Sequence, residues 1–339
     1  MKVLVFGLGS IGSYLYFLIK KNIEKFKDID LFLLTYNKRE LSNYHLSIFD
    51  KKKLINKIKI EIDYNIQNIS FDIVILTPKS YDIIKYIAFL IKNNIKFKNL
   101  VLTQNGIGQE EEILSYLKNE HNIDFSNIYF FTILTALDLI DNNLYIYNLN
   151  KSEIVISYYK NKIDNEILKL IDIIKSSVYV SVYNGNYNDV RYSKLFLNLI
   201  MNIVPAFYKK DIKETYKNLQ AIEDEKNLMI EFLWFIKKIN LKLYKFKYYN
   251  TNLIAFLYKY LPSFIIYFAY NQDFIISKIR ANRVPSFIKD YIINPKQKTE
   301  IEYYLGKILK KANELNIDIN NLKTIAKIYN KLKGQGFNF

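Results

Sequence analysis

The chain has 339 residues, half of them apolar, enough for two domains of ordinary size, each with its own core. It has no cysteine, which excludes disulfides, thiolate catalysis and cysteine-bound zinc, and with only His45 and His121 a histidine metal site or catalytic triad is not expected. The net charge of +16 comes from lysines scattered in short runs such as "DKKK" (50–53), without an arginine-rich arm, so a surface suited to anionic ligands is expected and a nucleic-acid partner is not.

The opening stretch "MKVLVFGLGSIGSYLYFLIKK" has two readings, an export signal or the first strand, turn and helix of a nucleotide-binding domain. No small-residue cleavage site follows it. Instead Ile11, Leu15, Leu18 and Ile19 fall on one helix face, and "IDLFLLTYN" (29–37) reads as a second buried strand. In that context the G-x-G-x-x-G spacing of Gly7, Gly9 and Gly12 marks a dinucleotide-binding turn. Gly7 permits the tight turn, Gly9 lets backbone amides approach a pyrophosphate, and Gly12 lets the helix pack closely on the strand. The whole run of Gly7, Leu8, Gly9, Ser10, Ile11 and Gly12 is expected to hold the phosphates at the helix N-terminus. At the end of the second strand, Thr35, Lys38 and Arg39 precede the first acidic residue, Glu40. A carboxylate would repel a 2′-phosphate whereas these side chains can bind one, so NADPH is the expected cofactor, with Lys38 among its contacts.

Further strands are expected at 57–62, 71–77, 99–103, 128–134, 144–149 and 153–157, joined by helical segments. Such apolar runs predict a mainly parallel sheet covered on both faces, so residues 1–184 read as a Rossmann-type α/β domain binding NADP. After "YNGNYNDV" (183–190) the pattern turns to long helical stretches, and residues 185–339 read as an all-α domain holding substrate and catalytic groups. Its most apolar stretch, 252–273, is interrupted by Lys259 and Pro262, and the uncharged part from Tyr260 to Gln272 has 13 residues. That is short of the roughly 20 that a spanning helix needs. A helix pair kinked near Pro262 is expected there, buried or facing a partner, and its tyrosines favour a homodimer. A cytoplasmic protein with no membrane contact is therefore the expectation.

Three segments can carry chemistry. Lys79 in "VILTPKSYD" and Asn105-Gly106 in "VLTQNGIGQ" each lie just beyond a strand, where an ammonium or an amide can meet a cofactor or substrate. In "RYSKLFLNLIMNIVPAF" (191–207), read as one helix, Lys194, Asn198 and Asn202 recur every four residues and so share a face. Polar groups in so apolar a helix need partners.

Together these segments resemble the ketopantoate reductases (2-dehydropantoate 2-reductases) over nearly the whole length. The likeness rests on Gly7, Gly9 and Gly12, on Lys79 after its strand, and on Asn105-Gly106. It also rests on the K-L-x-x-N-x-x-x-N pattern at Lys194, Asn198 and Asn202, and on T-E-I-[DE]-Y at Thr299 to Tyr303. The resemblance implies a helical C-terminal domain like that of 6-phosphogluconate dehydrogenase. It implies Lys194 as general acid, with Asn105 and Asn198 beside substrate and nicotinamide and Asn202 flanking them. It further implies that Ser286 binds substrate, that Glu300 bonds substrate or cofactor, and that Lys79 contacts NADPH. Tyr192 stands where the family often has tryptophan, and the connection from Ser286 to Glu300 is longer than its usual one.

The chemistry is consistent with those roles. Hydride delivery to a ketone leaves an alkoxide, which needs a proton donor and a positive charge beside it, and without a usable histidine Lys194 is the best candidate. Lys194 is expected to meet the hydride donor across an interdomain cleft. The expected reaction is NADPH-dependent reduction of 2-dehydropantoate to (R)-pantoate, a step toward pantothenate and coenzyme A. The alternatives are reduction of another short 2-keto acid or an idle NADP-binding protein, and the presence of Lys194, Asn198 and Glu300 argues against the idle binder.

Overall fold

Alternation along the first strand sets the layers of the N-terminal half. In β1 (Lys2–Phe6), Val3 and Val5 point to one face of the sheet and Leu4 and Phe6 to the other, and all four are fully buried. The computed structural model describes residues 1–26, 28–36, 44–63, 66–160, 162–271, 286–293 and 298–334. They group into two compact units, Met1–Gln104 with Gln109–Tyr187, and Asn105–Gly108 with Asn188–Phe339.

The first unit continues through α1 (Ser10–Asn22), β2 (Asp30–Leu34), β3 (Tyr44–Asp50), β4 (Lys53–Ile60), β5 (Ser70–Leu76), α2 (Ile83–Lys92), β6 (Lys96–Leu102) and α3 (Gln109–His121). It closes with β7 (Ile128–Ile133), β8 (Leu137–Ile140), β9 (Asn143–Ile146), β10 (Glu153–Tyr158), α4 (Asn165–Lys175) and β11 (Tyr179–Val182). Seven strands make one sheet in the order β11-β10-β7-β6-β5-β1-β2. The five from β2 to β7 are parallel, and β10 joins β7 antiparallel, Ile154 opposite Ile133. Val3, Val5, Ile73, Ile75 and Val101 pack with Leu15 and Ile19 of α1 and Ile167 and Leu170 of α4. On the other face Leu4, Phe6, Val74 and Leu100 pack with Ile83, Ile87 and Leu90 of α2 and Ile113 and Leu117 of α3.

The strands expected at 57–62 and 144–149 are present as β4 and β9, yet neither belongs to this sheet. They lie in a second sheet, β4-β3-β9-β8, in which only β3 and β9 run parallel. Leu46, Ile48, Leu144 and Ile146 of that sheet join the cluster that contains Tyr14 and Leu18. Thus α1 packs on both sheets, which is why every residue from Gly12 to Ile19 is buried rather than one stripe alone.

The second unit is helical among the described residues: α5 (Tyr187–Leu199), α6 (Ile203–Tyr208), α7 (Ile212–Thr215), α8 (Leu219–Lys238), α9 (Thr251–Tyr260) and α10 (Ser263–Tyr270), then shorter helical pieces to Gly334. The Asn218 side chain accepts from the Gln220 amide and caps α8, the longest helix. Phe232 and Phe235 of α8 pack with Leu195 and Phe196 of α5 and with Ile325 and Ile328 of the helix Lys323–Gly334. Half-buried Trp234, the chain's one tryptophan, lines the same core from α8.

Packing of α1 on two sheets has a measurable consequence. Leu18→Ala, at a fully buried position, should cost about 2–5 kcal/mol in urea unfolding. Leu168→Ala, on the exposed side of α4, should cost less than about 1 kcal/mol. Equal losses would contradict the two-sided burial.

Candidate active site

In the first unit the glycine turn is held by its own backbone. Gly7 has φ +121°, and its amide donates to the Leu34 carbonyl at 2.9 Å. The Thr77 hydroxyl donates to the Gly7 carbonyl at 2.9 Å, tying the turn to the end of β5. A Cβ at Gly12 would lie 2.0 Å from the Gly7 carbonyl oxygen, so α1 packs as closely as a glycine allows. A Cβ on Gly9, by contrast, would meet no atom within 4 Å, which leaves its backbone approachable by a ligand. No side chain caps α1 and its first turn carries no acidic residue. A helix N-terminus of that kind suits a pyrophosphate, so the residues present fit a dinucleotide. Half-buried Lys79 precedes a turn at Ser80–Asp82, three residues beyond β5, and half-buried Thr35 directly follows β2. Lys38 and Arg39 lie outside the described residues.

The second unit brings the remaining motifs together. The loop Asn105–Gly108 groups with it although it follows β6 in the chain. Asn198 of α5 donates from its amide nitrogen to the Asn105 side-chain oxygen at 3.4 Å. Next in the loop, Gly106 has φ +83°, and a Cβ there would sit 2.5 Å from the Tyr303 carbonyl oxygen. That carbonyl accepts from the Ile107 amide at 3.1 Å. Lys194, half-buried and one helical turn before Asn198, shares its face of α5. Glu300 is buried, and its backbone carbonyl accepts from the Tyr303 and Tyr304 amides, opening the helical segment that carries Tyr303.

One expectation is corrected here. Asn202 does not extend the helix of Lys194 and Asn198, because α5 ends at Leu199 and Met201 adopts a left-handed φ of +50°. Asn202 still returns to the same place: its amide nitrogen donates to the Asn198 carbonyl at 2.9 Å, and its buried side-chain oxygen has no hydrogen-bond partner among the described residues. Ser286 begins the short helix Ser286–Ile288, and its side chain, on which the substrate-binding expectation rests, lies outside the described residues.

Models of the ketopantoate reductase family (PanE/ApbA) match residues 3–138, and models of its C-terminal region match residues 186–333. The chain belongs to the ketopantoate reductase family. Membership places it among NAD(P)-dependent oxidoreductases acting on CH–OH groups, with an α/β N-terminal domain and a helical C-terminal region. A D-mandelate dehydrogenase structure with NADH and anilino(oxo)acetate is 17% identical, with both chains covered in full and a TM-score of 0.74. The dimeric ketopantoate reductase from Staphylococcus aureus is 16% identical, covering 99% of each chain, with a TM-score of 0.68. A 2-dehydropantoate 2-reductase from Geobacter metallireducens is 13% identical, covering 98% of this chain and 99% of that one, with a TM-score of 0.71. At these identities the likeness to solved structures is one of fold. No curated protein matches the chain by sequence.

Two supports of the family's motif residues had not been expected. Buried Arg191 donates to the Gly106 carbonyl at 3.0 Å, so the helix that carries Lys194 also holds the Asn105 loop. Its signal was present as an arginine three residues before the lysine, in a chain whose cations are mostly lysine. The other support is Glu225 of α8, almost fully buried. One carboxylate oxygen accepts from the Met201 amide at 2.9 Å and from the Tyr216 hydroxyl. The other accepts from Tyr258 at 2.6 Å and Tyr270 at 3.1 Å. Glu225 therefore pins the left-handed turn that delivers Asn202. No short-range pattern reveals it, since its donors come from four separate segments.

Burial pushes the Glu225 carboxyl above its ordinary value of 4.5, against the lowering effect of its hydrogen bonds. A raised folded-state value means that folding favours the protonated form. This stabilising contribution is complete below pH 4.5 and is lost as pH rises through the folded-state value. Stability of Glu225→Gln relative to wild type should therefore improve across that window in urea titrations. Glu225→Ala, which strands an amide and three hydroxyls, should cost at least about 3 kcal/mol at any pH. A wild-type-to-Gln difference that is flat with pH would show that the carboxyl is not shifted upward.

Proposed function

We propose that the chain is an NADPH-dependent reductase that converts 2-dehydropantoate to (R)-pantoate. The contact between Asn105 and Asn198 carries this reading. It joins two motifs 93 residues apart in the unit that also holds Lys194, Asn202 and Glu300. A catalytically idle binder has no need of that convergence.

In this reading the run Gly7 to Gly12 holds the cofactor's pyrophosphate, Lys79 contacts it, and Thr35 and Lys38 take the 2′-phosphate in place of the carboxylate an NAD site would carry. A bound nicotinamide supplies the hydride. Lys194 donates a proton to the oxygen of the reduced ketone, and its charge stabilises that oxygen as negative charge develops there. Asn105 and Asn198, each able to donate and accept, orient the keto acid and the nicotinamide amide, and Asn202 flanks them with its buried side-chain oxygen. Glu300 and Ser286 complete the contacts to substrate. Two copies form the working assembly, supported by the dimeric family neighbour. A different 2-keto acid is the second reading, favoured by the likeness to a D-mandelate dehydrogenase. NADPH oxidation in the presence of 2-dehydropantoate, a linear 2-keto acid and an aromatic one decides between them.

Lys194→Ala should lower kcat by ~10²–10⁴, with NADPH affinity and melting temperature nearly unchanged. A folded variant with normal turnover would remove Lys194 from the mechanism, and a large loss of melting temperature would mark it as structural. For the cofactor, one or two phosphate contacts should give NADPH roughly tenfold or greater preference over NADH in kcat/KM. Equal efficiencies would overturn the reading of the second strand's end.

A further inference from the structure

The helices α9 and α10 are apolar on both sides. Inward, Tyr258, Ile266 and Tyr270 enter the core of the second unit. Outward, Leu253, Phe256, Leu257 and Tyr260 of α9 follow i, i+3, i+4, i+7 spacing, and Phe264, Ile265 and Phe268 line the outer side of α10. All seven are exposed, Tyr260 by 59% and Phe268 by 63%. A helix that is apolar all round belongs in the interior of something larger. Among the described residues no helix is long and apolar enough to cross a membrane.

The size of the face fits a protein partner. With about 150–250 Å² per ring, four half-exposed rings and three aliphatic side chains present on the order of 700 Å². A monomer's largest apolar patch is usually about 300–600 Å², whereas each side of a standard interface contributes about 800 Å². Charge indicates which partner. The chain carries +16, yet from Thr251 to Asn271 only Lys259 is charged, and its ammonium lies over the Tyr260 ring at 5.1 Å. An acidic partner or an anionic surface would be met best by the lysine-rich remainder of the molecule. Another positive chain can approach closely only where charge is absent.

We infer that the outer face of α9 and α10 is where two copies of this chain meet. The inference rests on the dimeric assembly proposed above and assigns its surface. Association is driven by apolar burial and opposed by like net charge, so added salt, which screens the repulsion, tightens it.

Sedimentation velocity over roughly 1–100 µM tests this, the range in which interfaces of this size come apart. Wild type should be a dimer whose dissociation constant falls between low and high sodium chloride. The double substitution Phe256→Glu with Phe268→Glu should raise that constant by at least about 100-fold, while far-ultraviolet circular dichroism and melting temperature stay unchanged. Leu54→Glu, at an equally exposed position on β4 of the first unit, should leave the dimer intact. If the glutamate pair fails to fold, Phe256→Ser with Phe268→Ser serves in its place. A dimer that survives the double substitution would overturn the assigned face while leaving the assembly. A wild-type monomer throughout would overturn both, as would a monomer that instead sediments with phosphatidylserine vesicles. None of these readouts depends on substrate, so failure here is separable from failure of the reductase reading.

Discussion

Asn105 reaches Asn198 only because no side chain stands between Gly106 and the backbone of Tyr303. The Tyr303 carbonyl accepts the Ile107 amide, and Gly106 occupies a left-handed conformation in which a Cβ would strike that same carbonyl. Arg191 fastens the other side of the loop through the Gly106 carbonyl. Four residues that follow a strand of the first unit are thereby built into the second. The motif residues of α5 and of the segment after Glu300 take their mutual arrangement from that attachment.

A second constraint works from below. The site-bearing end of α5 must stop so that Asn202 can turn back onto the Asn198 carbonyl, and the left-handed Met201 makes the stop. A left-handed conformation at a non-glycine residue is costly by itself, so the structure surrounding it has to enforce it. Glu225 does so from α8, and the tyrosines of α9 and α10 saturate its other oxygen. A single carboxylate thus connects the turn next to the candidate site with three helices of the unit's core.

Much of this was legible in the sequence because it depends on local periodicity. The unbroken apolar runs of β1, β5 and β6 are those of strands buried on both faces, and the glycine spacing sits between a strand and a helix as expected. The helix pair about Pro262 also follows from local signals. What was not legible depends on long-range pairing. Nothing local in "KIKIEI" or "LYIYNL" states that β4 and β9 leave the main sheet for another, since an edge strand and a central one share the same alternation. The break at Met201 is signalled only in part: Pro205 has no N–H for the Met201 carbonyl four residues earlier, which limits a helix there, while the hold on the turn comes from the distant Glu225. Among the site residues, types and spacings were readable, whereas the supports of Arg191 and Glu225 came from tertiary contacts.

The placement of Trp234 gives the two units different optical properties. As the chain's one tryptophan it lies on α8, against the core of the second unit, with the Lys238 ammonium over its ring at 5.4 Å. Emission excited at the red edge of the absorption band therefore originates in the helical unit alone. Tyrosines in both units contribute only at shorter excitation wavelengths. Loosening of the helical unit can thus be watched separately from melting of the α/β unit, in one unlabelled sample of the intact chain.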